Sequence, residues 1–153
     1  MRRQGICAAA LLAVTLGIML FLPQRHYLRI TYQKTGELIC QRAAEPGDRL
    51  ELQLTHSFEH VPWNEYYTVT EDLTFNLDAL AVGGYGAGIP AEMDVPTRVE
   101  DGLVWMEEIN SEFDRFQWIT SQTNMKTLSL NGTVIVDFST LPNHSFVQAE
   151  IIT

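Results

Sequence analysis

Eleven residues, Thr55-His56-Ser57-Phe58-Glu59-His60-Val61-Pro62-Trp63-Asn64-Glu65, hold two imidazoles, two carboxylates, two hydroxyls and an indole. Three chemistries could use them. His56-Ser57-Phe58-Glu59-His60 has the H-x-x-E-H spacing of a zinc-peptidase helix, in which two imidazoles one turn apart hold the metal and the glutamate activates its water. That spacing works only on a helix, where residues four apart share a face. Here the segment follows the period-two run Leu50, Leu52, Leu54, and Pro62 opposes a long helix. In an extended register His56, Phe58 and His60 share one face, and Ser57 and Glu59 share the other. A looser metal site from His56 and His60 with Glu65 or His144 then depends on the fold. The simpler expectation is that His56 ends the core face and bonds a nearby carboxylate or carbonyl. Ser57 beside His56 is no nucleophile–base pair, because adjacent strand residues point apart, and there is no G-x-S-x-G elbow.

A second segment, Gly83-Gly84-Tyr85-Gly86-Ala87-Gly88-Ile89-Pro90, brings four glycines into six residues. It lacks the G-x-G-x-x-G spacing, no Lys-Ser/Thr follows, and Pro90 blocks an immediate helix, which excludes a nucleotide loop. No cofactor is implied. What remains is a tight loop with exposed N–H groups able to receive a carboxylate. The first segment is expected to form a strand-end turn whose His56, Ser57, Glu59 and Glu65 brace Gly86-Ala87-Gly88, one carboxylate accepting its N–H groups, with Trp63, Tyr66 or Tyr85 as exposed interface anchors.

The elements that must carry these loops are short strands. Strands are expected at 26–32, 37–42, 49–55, 65–70, 73–82, 103–109, 126–130, 133–138 and 145–151. Pro46-Gly47 gives a type II turn, and Asn131-Gly132 is the strongest hairpin signal in the chain. Asn131-Gly132-Thr133 also matches a glycosylation sequon, which the turn explains. Residues 83–101 read as loop, and a helix over 105–116 competes with the strand at 103–109. The fold expected is all-β, a single sandwich or small barrel of about eight to ten short antiparallel strands.

Ahead of this domain, Arg2 and Arg3 precede an uncharged run from Ile6 to Leu22 that Pro23, Gln24 and Arg25 close. Seventeen helical residues reach roughly 26 Å, slightly short of a hydrocarbon core. No A-x-A site follows, so residues 1–25 read as an uncleaved signal anchor and 26–153 as an extracytoplasmic domain. In that domain seven Lys or Arg stand against nineteen Asp or Glu, a formal charge of −12. Such a surface excludes nucleic acid as a partner and disfavours lying on anionic lipid. Between Glu92 and Asp114 eight carboxylates face only Arg98, a solvated acidic face or, alternatively, a cation sensor. Cys7 lies in the apolar run and Cys40 in a strand, so the domain has no internal disulfide and Cys40 acts as a small core residue.

Taken together, His56-Ser57-Phe58-Glu59, Pro62-Trp63, Glu65, Gly86-Ala87-Gly88, Pro90 and Asp101-Gly102 resemble a small bacterial and archaeal family of unknown function. Its members are often encoded beside TAXI-type TRAP transporters, the solute-binding-protein-dependent secondary carriers. The family pattern runs H-S-V-E, a basic residue, often P-W or W, E-E, then G-A-G and D-G-W. Here Phe58 replaces Val, His60 takes the basic position, Asn64 precedes Glu65, and Leu103 stands where Trp is common. The resemblance covers roughly residues 50–103. It implies a protein on the outer face of the cytoplasmic membrane, with a TRAP-type permease or solute-binding protein as partner and an accessory role in uptake of carboxylate-type solutes. It carries His56, Ser57 and Glu59 over as a recognition cluster. A lysine at the position of His60 could not replace an imidazole ligand, so the alternative of a metal-dependent hydrolase using His56, Glu59 and His60 is the weaker expectation.

Overall fold

The structure, a computed structural model, describes residues 24–84 and 94–153. These form twelve antiparallel strands: β1 (His26–Tyr32), β2 (Leu38–Ala44), β3 (Arg49–Thr55), β4 (Pro62–Val69), β5 (Phe75–Val82), β6 (Thr97–Glu100), β7 (Leu103–Met106), β8 (Ser111–Phe113), β9 (Arg115–Ile119), β10 (Met125–Leu130), β11 (Thr133–Asp137) and β12 (Phe146–Ile152). One turn of 3₁₀ helix, Phe138–Thr140, follows β11, and there is no α-helix among the described residues. A small sheet runs β2-β1-β12-β9 and a large one runs β11-β10-β3-β4-β5-β7-β6, with β8 beside the first half of β5. The all-β, sandwich-like expectation holds.

Local chemistry accounts for much of this. In β3, Leu50 and Leu52 are buried while Glu51 and Gln53 alternate with them. Gly47 takes φ +90° and the Asp48 N–H donates to Glu45 O at 3.1 Å, closing the Pro46-Gly47 turn. Asn131 and Gly132, at φ +49° and +76°, close the β10–β11 hairpin with the two left-handed residues a type I′ turn needs.

Three strands depart from expectation. Residues 97–100, expected in a loop, form β6, an exposed edge strand joined to β7 through Asp101-Gly102. The competing helix at 105–116 is absent; β8 and β9 occupy its second half and the residues beyond it. There the chain leaves the large sheet, where Phe75 pairs with Phe113, and joins the small one, where Ala149 pairs with Phe116. Phe116 reaches back between the sheets to Phe75 and Tyr67, with ring centroids 4.1 and 4.2 Å apart. With these strands the count is twelve, above the eight to ten expected. The anchor expected at 1–25 falls, apart from Gln24 and Arg25, outside the described residues, as do Tyr85, Gly86, Ala87, Gly88 and Pro90.

The core divides in two. The larger cluster lies between the sheets around Leu28, Ile30, Leu52, Phe75, Leu128 and Phe138. A smaller one, Leu80, Val82 and Met106, sits on the same large sheet and is flanked by Val61, Trp63 and Ile109.

Candidate functional site

Glu65 stands at the division between the two clusters. Across the large sheet one register row reads Leu128, Leu52, Glu65, Leu80, Met106. All but Glu65 are buried aliphatic or thioether side chains, so a carboxylate occupies the middle of an apolar row. Strand periodicity puts Trp63, Glu65, Tyr67 and Val69 on this inner face. The Trp63 Nε1–H donates to Glu65 Oε1 at 2.9 Å, and the Tyr67 hydroxyl donates to Oε2 at 2.5 Å. Burial first, and the Glu65 carboxylate second, push the Tyr67 phenol well above the ordinary tyrosine range, so it remains a neutral donor.

The β3–β4 turn frames this carboxylate from one side. The His56 N–H bonds Val61 O at 2.8 Å, and the His60 N–H bonds His56 O at 2.9 Å with His60 at φ +56°. The strand-end turn expected here is present, and the alternative extended register for residues 56–60 does not form. They close one tight turn ended by a left-handed residue, and no helix continues to carry an H-x-x-E-H pair. His56 Nδ1 accepts the Glu59 N–H at 3.2 Å, which leaves the neutral ring its proton on Nε2. The His56 ring stacks on Trp63, centroids 5.7 Å apart. Trp63 is thus held on one side by an imidazole and at its N–H by Glu65.

The residues singled out in the sequence divide accordingly. His56, Ser57, Trp63 and Glu65 line one groove of about 370 Å³, completed by Leu54 and Met125 among others. Pro62 is exposed at the start of β4, where its carbonyl accepts the Gly83 N–H at 2.8 Å. A Cβ on Gly83 would lie 2.7 Å from Pro62 Cδ, so the base of the glycine segment packs closely on the exit of the turn. Whether Gly86-Ala87-Gly88 meets the turn lies outside the described residues. His144 borders a separate groove with Tyr32 and Lys34. No three His, Cys, Asp or Glu among the described residues are grouped to hold a metal ion. Trp63 and Tyr66, expected as exposed anchors, are half-buried, and Tyr66 stacks on Trp105 on the outer face, centroids 5.2 Å apart.

Two residues escaped the sequence reading. Tyr67 was legible in principle, since Trp63, Glu65 and Tyr67 repeat every second residue. Phe58 gives less warning: it is 72% exposed at the tip of the turn, the most exposed of the large apolar side chains described. Glu65 also borders a second groove of about 330 Å³ with Tyr67, Arg115 and Trp118.

Fold and site together define an all-β, sandwich-like domain with one recessed carboxylate between two grooves. A family model described as a domain of unknown function, DUF1850, matches residues 50–136, more than half of the chain, and the chain belongs to that family. The match spans the turn, Glu65 and the Asn131-Gly132 hairpin. No curated protein and no solved structure matches it.

Proposed function

We propose that this protein is a membrane-anchored, extracytoplasmic interaction module that assists a TRAP-type (TAXI) solute transporter by binding its permease or its solute-binding protein. The observation that carries the reading is the pairing of an exposed Phe58 at a turn tip with a shallow groove that its chain neighbours His56 and Ser57 line. A projecting aromatic beside a pocket suits protein docking. Internal hydrogen bonds to Glu65 and to His56 Nδ1 also favour recognition over activation of a nucleophile. The uncharged run from Ile6 to Leu22 supports the anchor, and the motif resemblance supports the transporter setting.

The test is co-purification of the tagged full chain from mildly solubilised membranes. A permease or solute-binding protein should accompany it, and Phe58→Ser should lose that partner while keeping the melting temperature. Recovery of the wild-type chain as a clean monomer counts against the proposal.

A further inference from the structure

The interaction reading leaves Glu65 without an ion-pair partner among the described residues. Its two hydrogen-bond donors are neutral, so they orient the carboxylate without cancelling it. The ion pairs among the described residues are Arg29–Glu150, Arg98–Glu100 and Arg98–Glu107, and none includes Glu65. Its register neighbours are Leu52 and Leu80. A half-buried charge between aliphatic side chains gains from an incoming counter-charge far more than one in open solvent does.

The geometry points to a lysine side chain of the partner protein entering the groove behind the turn and placing its ammonium on Glu65. This rests on the interaction reading and names the chemistry by which the partner is held. Of the two grooves bordering Glu65, the one beside Tyr67 carries Arg115, which repels a cation, whereas the one beside His56 carries neither Lys nor Arg. Leu54, Ile119 and Met125 line that groove and suit an aliphatic stem, while Ser57, Ser121 and Asn124 supply polar groups. Each Glu65 oxygen already accepts one bond and keeps one site free. That suits a compact ammonium better than the planar fork of arginine, which needs both oxygens open side by side. The formal charge of −12 over residues 26–153 attracts such a group from a distance.

The full chain in mild detergent is titrated with Nα-acetyl-lysine methylamide, followed by tryptophan fluorescence. Saturable binding is expected, and the Nε-acetylated probe should not bind. Glu65→Gln should weaken binding by about tenfold or more, as loss of one partner of a desolvated pair does. Ile119→Lys, at an exposed position, should weaken it similarly without moving the melting temperature, which keeps the test sharp if Glu65→Gln folds poorly. Absence of saturable binding, or equal binding by Glu65→Gln and Ile119→Lys, overturns the assignment. Tight binding of n-butylammonium, with capture of the partner unaffected by Glu65→Gln, gives the groove to a free amine and also overturns it. The titration needs no partner, so its failure is distinct from a failure of co-purification.

Discussion

The indole N–H of Trp63 meets Glu65 Oε1 at 2.9 Å, and both side chains rise from the inner face of β4, two residues apart. A contact along one strand needs no long-range closure: period-two spacing delivers it as soon as β4 is extended. Tyr67 repeats the geometry two residues further on. The strand therefore carries its own carboxylate clamp, and the sheet supplies only the apolar surroundings that make the charge consequential. His56 completes the arrangement from the turn, fixing the indole by stacking.

Replacing the carboxylate should separate its two roles. Glu65→Leu continues the apolar row of Leu52 and Leu80 but leaves the Trp63 N–H and the Tyr67 O–H without an acceptor. Each orphaned donor costs about 1–3 kcal/mol where it is buried, so a net loss of about 2 kcal/mol is expected in urea unfolding. Adding Tyr67→Phe removes one orphan and should recover part of that loss. A double variant less stable than Glu65→Leu alone contradicts the clamp.

Alkaline pH gives an independent readout. The Tyr67 phenol is raised by burial and by Glu65, and that of Tyr66 by burial and then by Glu51. A group raised in the folded state contributes stability that is complete below its unfolded value, near 10, and is lost as pH rises toward the folded one. Stability should therefore fall above about pH 10, by up to about 1.4 kcal/mol per pH unit for the buried Tyr67 and by less for the more solvent-screened Tyr66. Tyr67→Phe should flatten the fall more than Tyr66→Phe. Equal slopes for wild type and Tyr67→Phe between pH 9 and 11.5 would show that Tyr67 ionises normally.

What could be read in advance follows from how local each feature is. Alternation in β3, the Pro46-Gly47 turn and the Asn131-Gly132 hairpin are decided within a few residues, and the chain states them openly. β6 shows no burial pattern because Thr97, Arg98, Val99 and Glu100 are all exposed at a sheet edge. Its one local signal was Asp101-Gly102, whose φ values of +51° and +77° make it a hairpin turn. Residues 111–119 change sheets between β8 and β9, so no single alternation runs through them. Around the site, β3 invited an extended continuation through His60, whereas the turn depends on a left-handed histidine, a conformation sequence rarely announces. Glu65 was picked out as polar, but its inner-face position contradicts the burial rule that assigns faces.

The junction between the turn and the glycine segment is open to a steric test. An alanine Cβ at Gly83 would lie 2.7 Å from Pro62 Cδ and 3.1 Å from Val61 Cβ, whereas one at Gly84 would meet Val61 Cγ1 at 4.0 Å. Gly83→Ala must push the start of β4 away and should cost about 1–3 kcal/mol, as overpacking does. Gly84→Ala should be nearly neutral. Because the displaced strand carries Trp63, Gly83→Ala should also change tryptophan fluorescence in the folded state. Equal melting temperatures for the two variants would contradict this close approach.

Asn131 couples two turns that the sequence shows separately. Its backbone N–H donates to Arg49 O at 2.8 Å, its Oδ1 accepts the Arg49 N–H at 2.9 Å, and its Nδ2 donates to Asp48 Oδ1 at 2.8 Å. The β10–β11 hairpin is thereby fastened to the start of β3, whose far end opens into the groove. Asn131→Ala loses both side-chain bonds and places an L-residue with a Cβ at φ +49°, so about 2 kcal/mol should be lost in urea unfolding. Asn131→Gly keeps the turn and loses only the bonds, and should cost about half as much. Asn131→Asp keeps the acceptor for the Arg49 N–H but sets a second carboxylate against Asp48, so its deficit should shrink as salt is raised. The order Ala, then Gly, with a salt-dependent Asp, is specific to a turn that is both left-handed and bonded at both ends. If the three variants lose the same stability at every ionic strength, Asn131 serves the turn alone and the fastening to β3 is without energetic weight.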